Sequence, residues 1–435
     1  MGNPVSSNAT ANIAVKVMSG KVKPYCDINA EHLRFSGTPL MYKLILLLGI
    51  CSAFASGASG KHTRTARMPG TDKKCQKIIN CYSSFQGDDQ TDDHLCTNIF
   101  FGLANIEKDA SVQMANDNIG MDTSEFQGTN DHREKNRHFK TFVAMQDDIW
   151  DGSHKNTKNK ILFNPTLREK LVDNILNFVE KHKFDGIDLQ SQYLTQEDAN
   201  DSDKQNFVLL LKALKEKFDK KGLLLALAVE GIESIAKRYD IKGISKYVTF
   251  INLRAYNLHG DLYTDGKILK SGHLAPLYHS SKENTKDKKL NVDSIVKYWI
   301  SKGAPPNKLI LGTTLKAMTY TLAKAKKVSK DEPFVDTVKY RSTTTSYAFT
   351  CPNEKDRTWK QIYDKEQQVP YMYKGKNVIG YENVASIKKK AEYAKSMKLA
   401  GLFVDSLEDD DMSGFCGRGN YPLLKTVNQV LGNKC

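Results

Sequence analysis

The segment that decides the fold reads Phe-Asp-Gly-Ile-Asp-Leu-Gln-Ser-Gln-Tyr at residues 184–193. Apolar residues alternate with polar ones along it, and this spacing predicts a buried strand over Phe184–Leu189. Side chains two residues apart lie on the same face of a strand. Asp188, Gln190 and Gln192 are therefore expected to project together from one face, at the C-terminal end of the strand.

Outward from this segment, apolar strand-like runs alternate with amphipathic helix-like segments along most of the chain. Eight runs are predicted as strands: Lys77–Tyr82, Thr97–Ala104, Lys140–Met145, Phe184–Leu189, Leu223–Val229, Tyr247–Leu253, Lys308–Thr314 and Leu399–Val404. Helices are predicted between them, for example at Pro165–Lys181, Asp203–Phe218, Val292–Lys302 and Ala385–Met397. Strands that alternate with helices favour parallel pairing, and eight of them predict a closed (β/α)8 TIM barrel of the α/β class.

One interval is too long for a plain strand-helix unit. It runs from about Lys316 to Asn383, between the seventh and eighth predicted strands. Segments such as Tyr347–Thr350 and Val369–Tyr373 are rich in residues that favour strands. We therefore expect a small inserted α+β subdomain at 316–383.

In a TIM barrel the chemistry lies at the C-terminal ends of the strands, which is where the polar residues of the first segment fall. That segment resembles the signature of family 18 glycoside hydrolases, the chitinases, which reads Asp-Gly-x-Asp-x-Asp-x-Glu. The resemblance covers most of residues 76–432. Further matching segments are Cys81-Tyr82, Leu95–Thr97, Asp203–Phe207, Ile244–Val248, Phe250–Leu253, Ala275–Tyr278, Val296–Trp299, Gly303–Pro305, Lys308–Gly312, Gly414–Gly417 and Tyr421–Leu424.

The resemblance implies a substrate-assisted hydrolase in which a glutamate protonates the glycosidic oxygen and a neighbouring aspartate orients the N-acetyl group of the substrate. In this chain, Gln190 stands at the third acidic position and Gln192 at the position of the catalytic glutamate. A carboxamide has no titratable proton to donate, so the resemblance predicts a non-catalytic protein. The bland alternative is a buried strand end whose polar residues serve only packing.

Further positions depart from the family pattern, and Arg254 stands where that pattern has methionine. Tyr256 is retained after the sixth predicted strand, but Asn257 follows it where the family has aspartate. Asp405 stands where the family has the tryptophan that lies under the sugar ring, and a charge offers no stacking surface there. The predicted ligand-binding residues are Asp188, Gln190, Gln192, Tyr256 and Asn257. No cofactor is expected, and no cysteine or histidine spacing indicates a metal site.

Three functions remain open from the sequence. The first is a secreted protein without catalysis that binds a glycan, such as a chitin-like oligosaccharide, or acts as an extracellular signalling or host-interaction factor. The second is a basic-surface adhesion protein with no ligand in its cleft. The third is a weakly active glycosidase whose acid has moved to Asp405 or Asp188. Neutralising the lysine loops would separate the first two, since it would leave binding in the cleft intact.

The formal net charge is +14. The excess lies in short lysine-rich stretches such as Lys212–Lys221, Lys282–Lys289 and Lys324–Lys330, which are typical of solvated helix faces and loops. Acidic glycans or an anionic membrane surface are the alternative partners of such a basic exterior. No aromatic-basic recognition motif accompanies the charge, so nucleic acid is not an expected partner. The predicted oligomeric state is a monomer.

The N-terminal region predicts secretion. Met41-Tyr-Lys precedes an apolar run and small residues at 53 and 55, which is typical of a signal peptide over 41–55. Residues 1–40 are predicted to be an upstream extension, and 56–435 the chitinase-like domain. The apolar run is too short to span a membrane. Asn200, in the sequon Asn200-Asp201-Ser202, is a predicted glycosylation site on the functional face.

Six cysteines remain after residue 55, and an even number in a secreted chain predicts disulfides of many possible pairings. The family resemblance pairs Cys81 with Cys96 and Cys351 with Cys416. Cys75 precedes the first strand and Cys435 follows the last helix, which meet at one end of a barrel. A Cys75–Cys435 bridge is therefore expected, with two free or intermolecular thiols as the alternative.

Overall fold

Eight parallel strands close on themselves into a barrel in the computed structural model, which describes residues 77–83, 94–114, 133, 136, 138–147, 159–190, 201–259, 271–324 and 338–432. The barrel strands, in order, are β1 (Ile78–Ser83), β2 (Asn98–Ile106), β4 (Lys140–Asp147), β5 (Gly186–Gln190), β6 (Leu224–Glu230), β7 (Phe250–Arg254), β8 (Leu309–Thr314) and β14 (Gly401–Asp405). Each pairs with the next, and β14 pairs with β1 to complete the ring. The short strand β3 (Val112–Met114) adds to β2 in antiparallel orientation. The predicted (β/α)8 TIM barrel is confirmed.

Helices connect the barrel strands. They are α1 (Asn159–Phe163), α2 (Pro165–Lys181), α3 (Asp201–Asp219), α4 (Glu233–Ala236), α5 (Ile241–Tyr247), α6 (Val292–Ser301), α7 (Tyr347–Thr350), α8 (Val384–Ser396) and α9 (Pro422–Leu431). Asn164 begins α2 by accepting hydrogen bonds from the backbone N–H groups of Thr166 and Leu167, as an N-cap residue does. The apolar faces of the long helices pack against the outer face of the barrel and form the main core.

The predicted boundary that differs most concerns β7. The sequence predicts a strand from Tyr247, but the chain there is still helical, and the strand begins at Phe250. The Asp240 side chain accepts a hydrogen bond from the Gly243 N–H and caps α5. Lys308 then donates to the carbonyl oxygens of Ser245 and Val248 at the other end of this helix. The helix is thus fixed at both ends, and the strand starts later than its apolar pattern suggests.

The interior of the barrel contains an aromatic layer. Phe100, Phe142, Phe250 and Phe403 are buried there, on four different strands. The rings of Phe100 and Phe142 stack with centroids 4.6 Å apart, and Phe250 and Phe403 each meet Phe100 edge to face. These geometries are the favourable ones for aromatic pairs. The layer fills the barrel below the C-terminal ends of the strands.

The insertion follows β8 and is a five-stranded antiparallel sheet. Its strands are β9 (Lys316–Leu322), β10 (Val338–Ser346), β11 (Lys360–Asp364), β12 (Val369–Lys374) and β13 (Asn377–Gly380). The prediction of a strand at Tyr347–Thr350 is wrong, because these residues form the helical turn α7. Its side chains at i and i+3, Tyr347 and Thr350, are both buried, and the Thr350 hydroxyl donates back to the carbonyl of Ser346. The predicted strand near Val369 is present as β12.

Two disulfides are present among the described residues. Cys81 is bonded to Cys96, and Cys351 is bonded to Cys416. These are the two pairs that the family resemblance implies. The third predicted bridge, Cys75–Cys435, lies outside the described residues, as do the segments 1–40 and 41–55 and the sequon residue Asn200. Within the described ranges, none of the helices has the length and apolar character that crossing a bilayer requires.

Candidate functional site

The C-terminal ends of four barrel strands place polar side chains around one floor. Asp188 and Gln190 lie on β5, Glu230 ends β6, Arg254 ends β7, and Asp405 ends β14. Alternation along each strand turns these residues to the same side as the aromatic layer. They therefore form the next layer of the barrel interior, above the phenylalanine rings.

Asp188 is sealed within this polar layer. It is 0% exposed, and both of its carboxylate oxygens accept hydrogen bonds. Asn252 Nδ2 donates to Oδ1 over 3.1 Å, and Gln190 Nε2 donates to Oδ2 over 3.2 Å. Burial raises the pKa of Asp188 to about 6, although Arg254 and the two amide donors favour the ionised form. The carboxylate thus holds neighbouring side chains in place and has no face open to solvent.

A line of asparagines continues this arrangement across the barrel. Asn98 Nδ2 donates to Asn80 Oδ1, and Asn80 Nδ2 donates to Asn252 Oδ1, each over 2.7 Å. Asn252 Nδ2 in turn donates to Asp188 Oδ1. All three asparagines are buried, and each amide is oriented by its neighbour, as buried polar groups require. The orientation of Asp188 is therefore set from β1, β2 and β7 together.

Arg254 crosses the floor on the other side of Gln190. Its Nη2 donates to Gln190 Oε1 over 2.7 Å, and its Nη1 faces Glu230 Oε1 at 3.4 Å. Burial by itself disfavours the charge, but Tyr256, Glu230, Asp405 and Asp188 raise the pKa of Arg254 above its ordinary value. The guanidinium therefore stays charged. Gln190 bridges the guanidinium to Asp188: its Oε1 accepts from Arg254, and its Nε2 donates to the Asp188 carboxylate.

Tyr256 and Asp405 form a second polar pair. The Tyr256 hydroxyl donates to Asp405 Oδ2 over 2.7 Å. Burial, followed by the charge of Asp405, raises the pKa of Tyr256 well above its usual range. Gly312 leaves room for the tyrosine, since a Cβ on that residue would lie 3.0 Å from Tyr256 Cε1 and 2.6 Å from the Leu253 carbonyl oxygen. Where the family has a stacking tryptophan, this chain thus has the Asp405 carboxylate, which accepts a hydrogen bond from Tyr256.

The predicted site residues are brought together in part. Asp188, Gln190 and Tyr256 lie in or beside the polar layer. Asn257 follows in the left-handed region, with φ of 57°, and is exposed at the rim. Gln192, the residue on which the prediction of lost catalysis depends, lies outside the described residues.

Two site residues were missed by the sequence prediction. Arg254 and Glu230 are partners in the ladder between β6 and β7, and neither was predicted to contribute to the floor. The signal was present at Arg254, because the residue stands where the family pattern has methionine. A charge at the inward end of a barrel strand needs a partner of opposite sign, and the last residue of the neighbouring strand supplies one.

Asp185, the first acidic residue of the motif, serves the fold. It lies at the start of β5, away from the polar layer. Its carboxylate accepts hydrogen bonds from the Thr141 backbone N–H, Arg133 and Lys140. These contacts join the lower ends of β4 and β5. The motif therefore contains one aspartate that fixes the strand and a second that organises the floor.

Of the described residues, Cys351, Asp411 and Cys416 have side chains close enough together to resemble a metal site. The two sulfurs are joined as a disulfide, and thiolates are what metals bind. The Asp411 carboxylate accepts the backbone N–H groups of Phe415 and Cys416. The cluster is therefore a structural one that holds the loop after β14.

Comparison with known proteins agrees with this geometry. The family described as glycosyl hydrolases family 18 matches residues 78–410. The chain is 29% identical over 359 residues to probable chitinase 10 of Drosophila melanogaster, a match that covers 79% of this chain and 15% of that protein. The chain thus spans a small part of that relative. It is 30% identical over 361 residues to mouse chitotriosidase-1, covering 78% of this chain and 73% of the mouse protein.

A solved structure extends the comparison. Human YKL-39, described as a pseudo-chitinase with retained chitooligosaccharide binding properties, superposes with a TM-score of 0.70 at 26% identity. The match covers 82% of this chain and 100% of the human one. The same fold therefore occurs both in chitinases and in a protein described as a pseudo-chitinase.

Proposed function

The chain belongs to glycosyl hydrolase family 18, and on that premise we propose that it is a secreted, non-catalytic chitinase-like protein that binds a chitin-type oligosaccharide. Its ligand would lie at the C-terminal face of the barrel, and the residues proposed to contact it are Asp188, Gln190, Gln192, Tyr256 and Asn257. The proposal has two parts, loss of acid catalysis and retention of glycan binding. Each part rests on a different observation.

The observation that carries the first part is an amide at position 192 close in sequence to a sealed aspartate. Gln192 has no titratable proton to give to a leaving oxygen. Asp188 is fully buried, and both of its oxygens are engaged by Asn252 and Gln190. A buried carboxyl in this arrangement cannot reach a glycosidic oxygen in the cleft. General acid catalysis therefore lacks a donor at the position where the family has one.

A relocated acid at Asp405 is disfavoured by its place in the barrel. Asp405 lies on β14, and three strands, β6, β7 and β8, separate β14 from β5. In a ring of eight, this places Asp405 on the wall opposite the family's acid. Its Oδ2 accepts the Tyr256 hydroxyl, so this oxygen is already engaged within the barrel. The weakly active glycosidase is thus the least supported alternative.

Glycan binding is supported by similarity to human YKL-39, which is described as retaining chitooligosaccharide binding. In this chain the exposed Asn257 side chain and the amide of Gln192 are the groups that we propose for sugar hydroxyls and N-acetyl groups. Amides can both donate and accept hydrogen bonds, as such ligands require. With charged Asp405 where the family has a stacking tryptophan, we expect affinity to be weak.

Secretion is supported by two features of the chain. The predicted signal peptide at 41–55 is one. The disulfides Cys81–Cys96 and Cys351–Cys416 are the other, since such bonds persist mainly in oxidising compartments. The proposed working place of the protein is therefore outside the cell.

The second candidate function is adhesion through the basic exterior. The net charge of +14 favours it, although several surface lysines of the described residues are paired with carboxylates, for example Lys297 with Asp293 and Lys215 with Asp219. Contacts between exposed charges weaken as salt screens them, whereas buried contacts are screened much less. Binding to a glycan array at low and high salt therefore separates the two candidates.

The proposal predicts catalytic silence. Purified protein incubated with N-acetylchitotetraose should release no product above background, because Gln192 has no proton to donate to the glycosidic oxygen. Gln192→Glu alone should also stay inactive, since Asp405 and Gln190 still differ from the family pattern. Asp405→Asn serves as the control: hydrolysis by the native chain that disappears in this variant would overturn the proposal and favour the relocated acid.

A further inference from the structure

Arg254 spans the floor of the cleft from one wall toward the other. It begins on β7, while its hydrogen-bond partner Gln190 lies on β5, with β6 between them. Neighbouring strands are about 4.8 Å apart, so the two side chains, joined by their hydrogen bond, together bridge roughly 10 Å of the floor. On the way its Nη1 passes Glu230 at the end of β6. The guanidinium therefore lies in the polar layer and is linked to Asp188 through Gln190.

The side chain is held there from several directions. Its Nη2 is fixed by Gln190, and Glu230 faces Nη1. Arg254 Nε is buried and has no hydrogen-bond partner among the described residues. The side chain as a whole is 27% exposed. Most of the side chain is therefore withdrawn from solvent, and its end is held by two partners.

Other groups that could receive a sugar are engaged in the same way. Both oxygens of Asp188 accept side-chain hydrogen bonds, and the Tyr256 hydroxyl donates a hydrogen bond to Asp405. A sugar entering this position would have to displace Arg254 and leave Glu230 without its partner. Separating a partly buried charge from its partner is costly. The floor is thus satisfied internally before any ligand arrives.

From this geometry we propose that Arg254 occupies the innermost sugar position of the cleft and excludes an N-acetyl sugar from it. This inference rests on the proposed function, because it concerns the same cleft and the same class of ligand. A chitooligosaccharide is then held only by groups nearer the rim, which limits its affinity. Arg254 determines how deep the ligand sits.

The test replaces the arginine by the residue that the family pattern has at this position. Arg254→Met keeps an unbranched side chain but removes the charge and the bond to Gln190, which frees Gln190 Oε1 for a ligand. We expect N-acetylchitotetraose to bind about tenfold more tightly to this variant by isothermal titration calorimetry. The matched control is Arg357→Met, at an exposed position of the insertion, which should change affinity by less than about twofold.

The outcomes separate this inference from the proposed function. If the native chain binds the tetrasaccharide and Arg254→Met binds it no more tightly, the inference is overturned while the proposed function stands. If only the variant binds, the inference is supported and glycan binding by the native cleft fails. If neither binds, both fail. Should Arg254→Met not fold, as judged by near-ultraviolet circular dichroism, Arg254→Gln tests the same opening with a neutral polar side chain, and the same increase in affinity is expected.

Discussion

Two adjacent layers of the barrel interior share strands β7 and β14 but are built by different chemistry. The lower layer is the aromatic cluster of Phe100, Phe142, Phe250 and Phe403. The upper layer, nearer the C-terminal ends of the strands, is polar and contains Asp188, Gln190, Glu230, Arg254 and Asp405. Phe250 and Arg254 are four residues apart on one strand and belong one to each layer. The strand geometry is common to both, so the difference comes from the side chains alone.

This difference explains how the fold and the site can diverge within one barrel. Apolar packing is not directional, and the aromatic layer requires chiefly that volume be filled. The polar layer requires every donor to meet an acceptor, so a new charge is tolerated only with new partners. Arg254 has Glu230 and Gln190, and Asp405 has Tyr256. The charged residues of the upper layer therefore each have hydrogen-bond partners within that layer, while the lower layer keeps the barrel closed.

The largest expected effect comes from breaking the aromatic layer. Phe142→Ala removes a ring that stacks on Phe100 and lies 5.7 Å from Phe250. Because the residue is fully buried, the cavity left behind should cost about 3–5 kcal/mol of unfolding free energy. Chemical denaturation measures this, with Phe349→Ala as the control. Phe349 is 79% exposed, and its loss should change stability by less than about 0.5 kcal/mol. Equal losses in both variants would contradict the role given to the layer.

The second effect concerns the pH dependence of the polar layer. The pKa of Asp188 is raised from 3.8 to about 6 in the folded protein, so between these values the folded state binds the proton more readily than the unfolded state. Stability therefore falls as pH rises through this window, by on the order of 3 kcal/mol. The unfolding free energy of the native chain relative to Asp188→Asn should decrease by this amount from pH 4 to pH 7.

The pH trend has a matched control in Glu216→Gln. Glu216 lies on the exposed surface of α3, with a side chain that is 62% exposed, and its removal should leave the pH profile nearly parallel to that of the native chain. A pH-independent difference between the native chain and Asp188→Asn would show that the buried carboxyl keeps its ordinary acidity. The polar layer would then differ less from the surface than its burial indicates.

The smallest effect separates the two halves of the polar layer. Tyr256→Phe removes the hydrogen bond to Asp405 but keeps the ring. Asp405 is partly exposed, so water can replace the lost donor, and the cost should be about 1 kcal/mol. Thermal unfolding measures it, and Tyr278→Phe at the surface provides the comparison. A loss of stability as large as that expected for Phe142→Ala would contradict this prediction. The polar pair would then contribute to stability as much as the aromatic layer does.

Much of the fold follows from the sequence because the barrel strands are short apolar runs bounded by clear helices. The runs that became β5 and β8 show this most clearly, with errors of one or two residues. The error at Tyr247 arose because a polar cap, Asp240, extends α5 into residues whose apolar pattern also suits a strand. The error at Tyr347–Thr350 arose because β-branched and aromatic residues can also fill one buried helical turn. Local preference is overridden there by tertiary contacts.

The site is harder to predict from the sequence than the fold, because the side chains that contact one another come from different strands. Periodicity places Asp188 and Gln190 on one face, and the structure agrees. That Gln190 bridges Asp188 to Arg254 depends on the distance across β6, and no spacing along the chain encodes it. The departure at Arg254 was visible in the sequence, yet its consequence required knowing that Glu230 lies beside it in the ladder.

The disulfide between Cys351 and Cys416 closes a covalent loop in the chain. The two cysteines are 65 positions apart in the sequence, and the segment between them includes three strands of the insertion, helix α8 and the final barrel strand β14. That strand is the one that joins β1 to β8. A protease that cuts once within this loop therefore releases no fragment, because the two new ends stay linked through the disulfide. For a protein proposed to work outside the cell, the strand that closes the barrel thus stays covalently attached after any single cut within this loop.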